Sequence, residues 1–168
     1  MSLLTRAAAI SLFCLLLPCA SCRYNPSSKP HDTFETATAL TPGVEVLDAV
    51  GQDTADVFFI EAPAGKTVSF KLRSRGHEDC PEFTVVGPRQ RTLYQDRHGF
   101  CGDPPLMAET QAEGVSVSGK RGAGYELRVP AEEAGKYFLR IQERRQADNL
   151  FPYRWDFGLT ALLESLGP

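Results

Sequence analysis

The chain is poor in the residues that most often carry chemistry. Its 168 residues include three histidines and one tryptophan. It has no GxSxG elbow, no HExxH pair and no Walker loop, so the motif-bearing hydrolases, zinc peptidases and nucleotide-binding enzymes are excluded as a class. A triad assembled in space leaves no local motif, and that keeps one reading open, a degenerate hydrolase-associated domain. His31 falls in a linker-like stretch, and Ser116 and Ser118 lie in GVSVSG, which alternates like a strand. There is no basic excess either. Eighteen Lys and Arg stand against 21 Asp and Glu, a net charge of −3, and nucleic acid is not an expected partner. No apolar run reaches the roughly 20 residues of a membrane span; Ala7–Leu17 is too short and is interrupted by Ser11. What is present is an ordinary globular mixture, 42% hydrophobic and 23% charged, which excludes a mostly disordered chain.

The first 22 residues read as an address. One positive charge at Arg6, the apolar stretch and then Pro18-Cys19-Ala20-Ser21-Cys22 form the charged start, apolar middle and small-residue end of a secretory signal. Ala20-Ser21-Cys22 resembles the end of a bacterial lipobox, which implies cleavage before Cys22 and lipidation of that residue. The five cysteines are Cys14, Cys19, Cys22, Cys80 and Cys101; removal of the first two and lipidation of the third leaves an even pair in an oxidising compartment. Arg at position 23 implies, by resemblance to Gram-negative sorting rules, an outer-membrane lipoprotein facing the periplasm or the cell surface. Residues 1–21 are therefore read as signal peptide, 22–31 as a lipid-anchored linker (RYNPSSKP, with two prolines and two serines), and 32–168 as one domain.

That domain reads as strands. Val68, Phe70 and Leu72 alternate with polar residues, as do Tyr125, Leu127 and Val129; Tyr137, Leu139 and Ile141 alternate with Phe138, Arg140 and Gln142, and Tyr153, Trp155, Phe157 and Leu159 with Arg154, Asp156, Gly158 and Thr160. Val57-Phe58-Phe59-Ile60 is a continuous apolar run, as in a central strand. Pro42-Gly43, Ala64-Gly65, Gly87-Pro88, Gly122-Ala123-Gly124 and Ala134-Gly135 punctuate the runs as turns. A helical turn is expected over Phe34–Leu40 and a short helical end over Ala161–Leu166. The fold class expected is all-β, an antiparallel jelly-roll-like β-sandwich.

The order of segments then carries a resemblance. Residues 32–72 (DTFETATALTPGVEVLDAVGQDTADVFFIEAPAGKTVSFKL), YELRVPAEEAGKYFLRIQ and YRWDFGLTAL resemble the bacterial pre-peptidase C-terminal (PPC) domain over roughly residues 32–161. The resemblance implies a jelly-roll sandwich without catalytic activity of the kind that accompanies secreted peptidases, some members of which bind collagen, polysaccharide or calcium. The positions matching the calcium-binding members are Asp32, Glu35, Asp53 and Asp56. Every charged residue from Asp32 to Glu61 is acidic, so two readings stand side by side: a calcium site, and a solvated acidic edge in which Asp53 and Asp56 cap a turn. No other cofactor is expected.

Two further features carry site hypotheses. His77-Glu78-Asp79-Cys80 and His98-Gly99-Phe100-Cys101 repeat an H-x-x-C pattern, which suits tetrahedral zinc. In an exported chain the same cysteines pair instead, and a Cys80–Cys101 disulfide would stabilise by roughly 3 kcal/mol through loop closure. Arg89 and Arg91 beside a Gly-Pro turn, Arg144 and Arg145 after the AGKYFLRIQ strand, and Phe151 before the last strand are the residue types favoured at binding surfaces. The function expected is a non-catalytic, lipid-anchored envelope module that binds a protein partner or joins a surface complex. The alternative is a module binding cell-surface polysaccharide. A sugar binder calls for an exposed aromatic row on one sheet, and a protein adaptor for a mixed arginine and aromatic patch.

Overall fold

The structure is a computed structural model that describes residues 32–51, 54–75, 81–96, 108–120, 123–143 and 154–165. Among the described residues, eleven strands form two sheets. In chain order they are β1 (Thr38–Ala39), β2 (Glu45–Gly51), β3 (Ala55–Ala62), β4 (Lys66–Ser74), β5 (Pro81–Val86), β6 (Thr92–Asp96), β7 (Ala108–Gln111), β8 (Ser116–Lys120), β9 (Gly124–Ala131), β10 (Gly135–Glu143) and β11 (Arg154–Ser165). Sheet A has the order β1-β3-β10-β5-β6-β7 and sheet B the order β2-β11-β4-β9-β8. Every pairing is antiparallel except that of the two-residue β1 with β3. This is the β-sandwich that the alternation anticipated.

The core lies between the sheets. Phe58, Ile60, Phe83, Tyr137, Leu139 and Ile141 from sheet A meet Phe70, Leu127, Trp155, Phe157 and Leu159 from sheet B, all essentially inaccessible to solvent. Burying each large side chain is worth about 1.5–3 kcal/mol, so the period-two pattern fixes which face of each strand turns inward. Aromatic rings lock the layers edge-to-face, with Phe58 on Phe157 at 6.1 Å and Phe83 on Tyr125 at 5.5 Å. The polar tips find partners: Trp155 Nε1 donates to Ser74 Oγ at 3.2 Å and the Tyr137 hydroxyl to the Glu133 carbonyl at 2.8 Å.

Both helical expectations are overturned. Thr38–Ala39 runs as a strand beside Phe58–Phe59, and Leu40 N–H donates to the Phe59 carbonyl at 2.7 Å. Residues 161–165 continue β11, paired with Phe70 through Lys66 of β4. In each case a neighbouring strand offers a ladder of hydrogen bonds that a lone helical turn cannot match. The turns fall where glycine was read. Gly65 takes a φ of 78° between β3 and β4, a conformation that side chains resist. At Gly124, φ is 140° and a Cβ would overlap the Leu72 carbonyl oxygen. Only glycine lets β9 approach β4 that closely.

Candidate binding face

Each sheet turns one face to solvent, and the two faces differ in kind. On sheet B the outward row is a mosaic of paired charges. Lys71 meets Glu126 at 3.6 Å and Glu164 at 4.0 Å, Arg128 meets Glu164 at 2.6 Å, Arg73 meets Glu45 at 2.8 Å and Arg154 meets Asp156 at 2.7 Å. Ser69 Oγ also donates to Glu126 Oε1 at 2.8 Å. Exposed pairs add little stability, but they leave these cations already satisfied.

The outward face of sheet A is aromatic and mixes cations with acids, Lys136 standing opposite Glu61 and Arg140 sharing a groove with Glu35. Strand register explains why. Phe138 of β10 lies opposite Phe59 of β3 on one side and Val86 of β5 on the other, and Val86 in turn lies opposite Thr92 of β6. One step along, Arg140 lies opposite Val57 and Thr84, and Thr84 opposite Gln95. Two rows result, an apolar row through Phe59, Phe138 and Val86 and a polar row through Arg140, Thr84 and Gln95.

Phe34 completes the apolar row from outside the sheet. Thr33 and Thr36 tie the entering chain into a local turn: Thr33 N–H donates to Thr36 Oγ1 at 3.2 Å and Thr36 N–H to Thr33 Oγ1 at 3.3 Å. The turn sets Phe34 edge-on to Phe138, centroids 5.4 Å apart at 85°, while Phe138 lies 5.7 Å from Phe59 at 44°. Lys136 caps Phe59 with its ammonium 4.3 Å from the ring centroid, a cation–π contact. Phe34 remains 40% exposed, a large apolar side chain held at the rim rather than buried. Phe34, Phe138, Val86, Thr84, Gln95 and Arg140, with Glu35, Gln90 and Thr92, line a shallow groove of about 570 Å³. Among the described residues, neither Arg140 nor Lys136 forms an ion pair.

The β5–β6 turn overhangs one end of this groove. Arg89 and Gln90 both take left-handed backbone angles, φ 58° and 59°, which cost a side-chain-bearing residue about 1–2 kcal/mol each. The turn is anchored below by ion pairs from Arg89 to Glu133 at 3.1 Å and from Arg91 to Glu132 at 3.5 Å, and Gln90 faces the groove.

The anticipated site residues are distributed as follows. Arg89 and Arg91 sit on this turn. Arg144, Arg145 and Phe151 lie outside the described residues. The strand ends that bound them, Glu143 and Arg154, stand beside Pro81 and Gly51, at the opposite end of the sandwich from the turn. Cys22, Cys80 and Cys101, and all three histidines, also lie outside the described residues. Of the acidic set, Asp32 and Glu35 are exposed and Glu35 lines the groove. Asp56 is buried at 5% exposure, on the inward register opposite Ile141, so it belongs to no solvated edge. Asp53 lies outside the described residues, and the hydroxyl of Thr54, hydrogen-bonded to both N–H and C=O of Gly51 at 2.9 and 2.8 Å, closes that turn. Glu35 and Asp56 thus occupy opposite faces of sheet A, and among the described residues no three His, Cys, Asp or Glu side chains gather as a metal cage.

Sequence reasoning passed over Phe34, Phe59, Phe138, Lys136 and Arg140. Two signals pointed to them. Val57–Ile60 is apolar on both faces of a strand, and Phe138 occupies an outward position between Tyr137 and Leu139.

No family model matches the chain, and no curated protein matches it. Among solved structures it is similar to the pre-peptidase C-terminal domain of a collagenase from Bacillus anthracis, with 12% identity, 74% of this chain and 93% of that one covered, and a TM-score of 0.47. It is also similar to PliG of Aeromonas hydrophila, a periplasmic lysozyme inhibitor of g-type lysozyme, with 14% identity, coverage of 76% and 96%, and a TM-score of 0.48. PliG of Salmonella Typhimurium matches at 13% identity, coverage of 74% and 98%, and a TM-score of 0.38. Likenesses this distant assign no function to the chain.

Proposed function

We propose that this chain is a non-catalytic module of the cell envelope that docks a protein partner on the outward face of sheet A. The observation that carries the reading is the aromatic groove on the outward face of sheet A. There Phe34, 40% exposed, stands with Phe138 and Arg140 around a groove of about 570 Å³, under a turn in left-handed conformation. Aromatic and arginine side chains around a groove are the residue types on which interface energy concentrates. Strained backbone gathers at ligand contacts.

A glycan platform is the weaker reading. Sugar rings stack on a flat aromatic face, and here Phe34 and Phe138 stand at 85° to each other with Phe138 and Phe59 at 44°. Such packing makes a notch for an apolar side chain rather than a bench for a ring.

Export and anchoring form part of the same proposal and rest on the first 22 residues. Intact mass of the mature protein is expected to show a diacylglyceryl group and an acyl chain on Cys22. An unmodified Cys22, or a start elsewhere, removes the anchor. Non-reducing peptide mapping is expected to link Cys80 to Cys101; free thiols with bound zinc would reverse that assignment.

Docking is tested by affinity capture from detergent-solubilised envelopes. Phe34→Ala with Arg140→Gln is expected to lose the bound protein, while Lys71→Ala with Arg73→Ala on sheet B retains it. Equal capture by both variants, or binding of purified envelope polysaccharide with the same dependence on Phe34, would overturn the proposal.

A further inference from the structure

Each sheet ends in two edge strands, and we infer that one of them, β8, is where a second copy of this chain pairs edge to edge, joining two copies of sheet B into one. An edge strand turns the N–H and C=O groups of every second residue away from its sheet. Proteins block such rows with short strands, bulges, charges or side-chain caps. The other edges here are blocked. β1 is two residues long. β7 is four residues long, carries the exposed Glu109, and shifts register against β6 between Gln95 and Asp96. On β2, Ala49 N–H donates to Asp48 Oδ1 at 2.7 Å and Gly51 N–H to Thr54 Oγ1 at 2.9 Å, so side chains already occupy that row.

β8 has no such protection. It pairs with β9 in unbroken register, from Ser116 opposite Arg128 to Lys120 opposite Gly124. Residues 116–119 are uncharged, and among the described residues no side chain bonds their backbone. The nearest cap, from Gln111 Nε2, ends on the Val115 carbonyl at 2.7 Å, one residue before the strand.

The sequence of the strand selects a second copy as its occupant, because it is complementary to itself. In an antiparallel pairing centred on Val117, Val117 falls opposite the partner's Val117 and Ser116 opposite the partner's Ser118. Residues of one parity meet residues of the same parity, so outward-pointing N–H and C=O groups meet each other. Val117 lies on the inward register opposite the buried Leu127 and packs on the core while only partly buried. A second valine beside it closes the core at that margin. Ser116 and Ser118 are exposed, and hydroxyl opposite hydroxyl is a favourable cross-strand pair. Lys120 falls opposite the partner's Gly114, so like charges do not oppose each other. The pairing uses the same patch on both copies, as a two-fold dimer requires. It lies at the margin of sheet B and does not depend on docking at sheet A.

The test is disulfide trapping in cells carrying the full chain, read on non-reducing gels. Val117→Cys sets two thiols opposite each other, with Cα atoms about 4.5–5.5 Å apart, within reach of a disulfide. It is expected to give a dimer band at least tenfold stronger than Leu47→Cys, an exposed position on the blocked strand β2. Ser116→Cys and Ser118→Cys check the register without entering the core: the two co-expressed should cross-link, and neither should alone. Adding Ser116→Lys and Ser118→Lys to Val117→Cys sets lysines opposite one another and should cut the dimer at least tenfold, with thermal melting confirming that the variant is folded. A dimer from Val117→Cys no stronger than from Leu47→Cys, or unchanged by the lysines, would overturn the inference. So would a disulfide from Val117→Cys to a different protein in place of the dimer, which would give this edge to a foreign strand.

Discussion

Tyr94 shows how one buried side chain sets a condition on the whole domain. It is 2% exposed, and burial, with the charge of Asp96 second, pushes its phenol up from 10 to about 12. The folded state therefore keeps the proton over a range in which the unfolded chain releases it. Stability is unaffected below pH 10 and falls as pH rises from 10 to 12, by up to about 3 kcal/mol. Urea unfolding at pH 9 and 11.5 should show this loss, and Tyr94→Phe should remove most of the difference between the two. At Arg89 and Gln90 the balance runs the other way. Replacing both by glycine relieves left-handed strain and forfeits only an exposed ion pair. A gain of about 1 kcal/mol is expected once the extra freedom of the unfolded chain is subtracted, seen as a melting point higher by about 2–4 °C. Partner binding should weaken at the same time.

At the scale of the strand, alternation made most of the fold legible. Trp155, Phe157 and Leu159 were expected inward, and they are. The helical expectations over 34–40 and 161–166 failed because those segments have good local helix formers but pair with β3 and β4, partners distant in sequence. The site was less legible for a related reason. Phe138 looks like a lapse in an alternating pattern until register places it beside Phe59 and Val86, and Phe34 looks like part of a helix until the Thr33–Thr36 turn lays it on the sheet. A single sequence does not reveal which strands are neighbours. The β4–β9 contact gives a sharp check on that pairing. Gly124→Ala forces a Cβ against the Leu72 carbonyl at an unfavourable φ and is expected to cost about 3 kcal/mol or more, measured as a shift in the denaturant midpoint. An unchanged midpoint would mean that β9 and β4 are not packed as described.

Across the whole molecule, the sandwich separates two surfaces made of similar residue types. The difference between them lies in which charges have partners, and no count of arginines or acids reveals that. The acidic N-terminal stretch illustrates the same point: Glu35 lies outward in the groove and Asp56 inward, so their proximity in sequence does not become proximity in space. Calcium at millimolar concentration is accordingly expected to raise the melting point no more than magnesium does. A calcium-only rise of about 5–11 °C, as mass action gives for a filled site, would show that other residues complete a cage. The most direct measurement of the docking face is photo-crosslinking from a benzophenone side chain placed in turn at Gln95, beside the groove, and at Lys71, on sheet B, in cells carrying the full chain. Gln95 should yield a discrete protein adduct that disappears when Phe34→Ala is added, and Lys71 should yield none. An adduct from Lys71 with none from Gln95 would contradict the assignment of sheet A as the binding face.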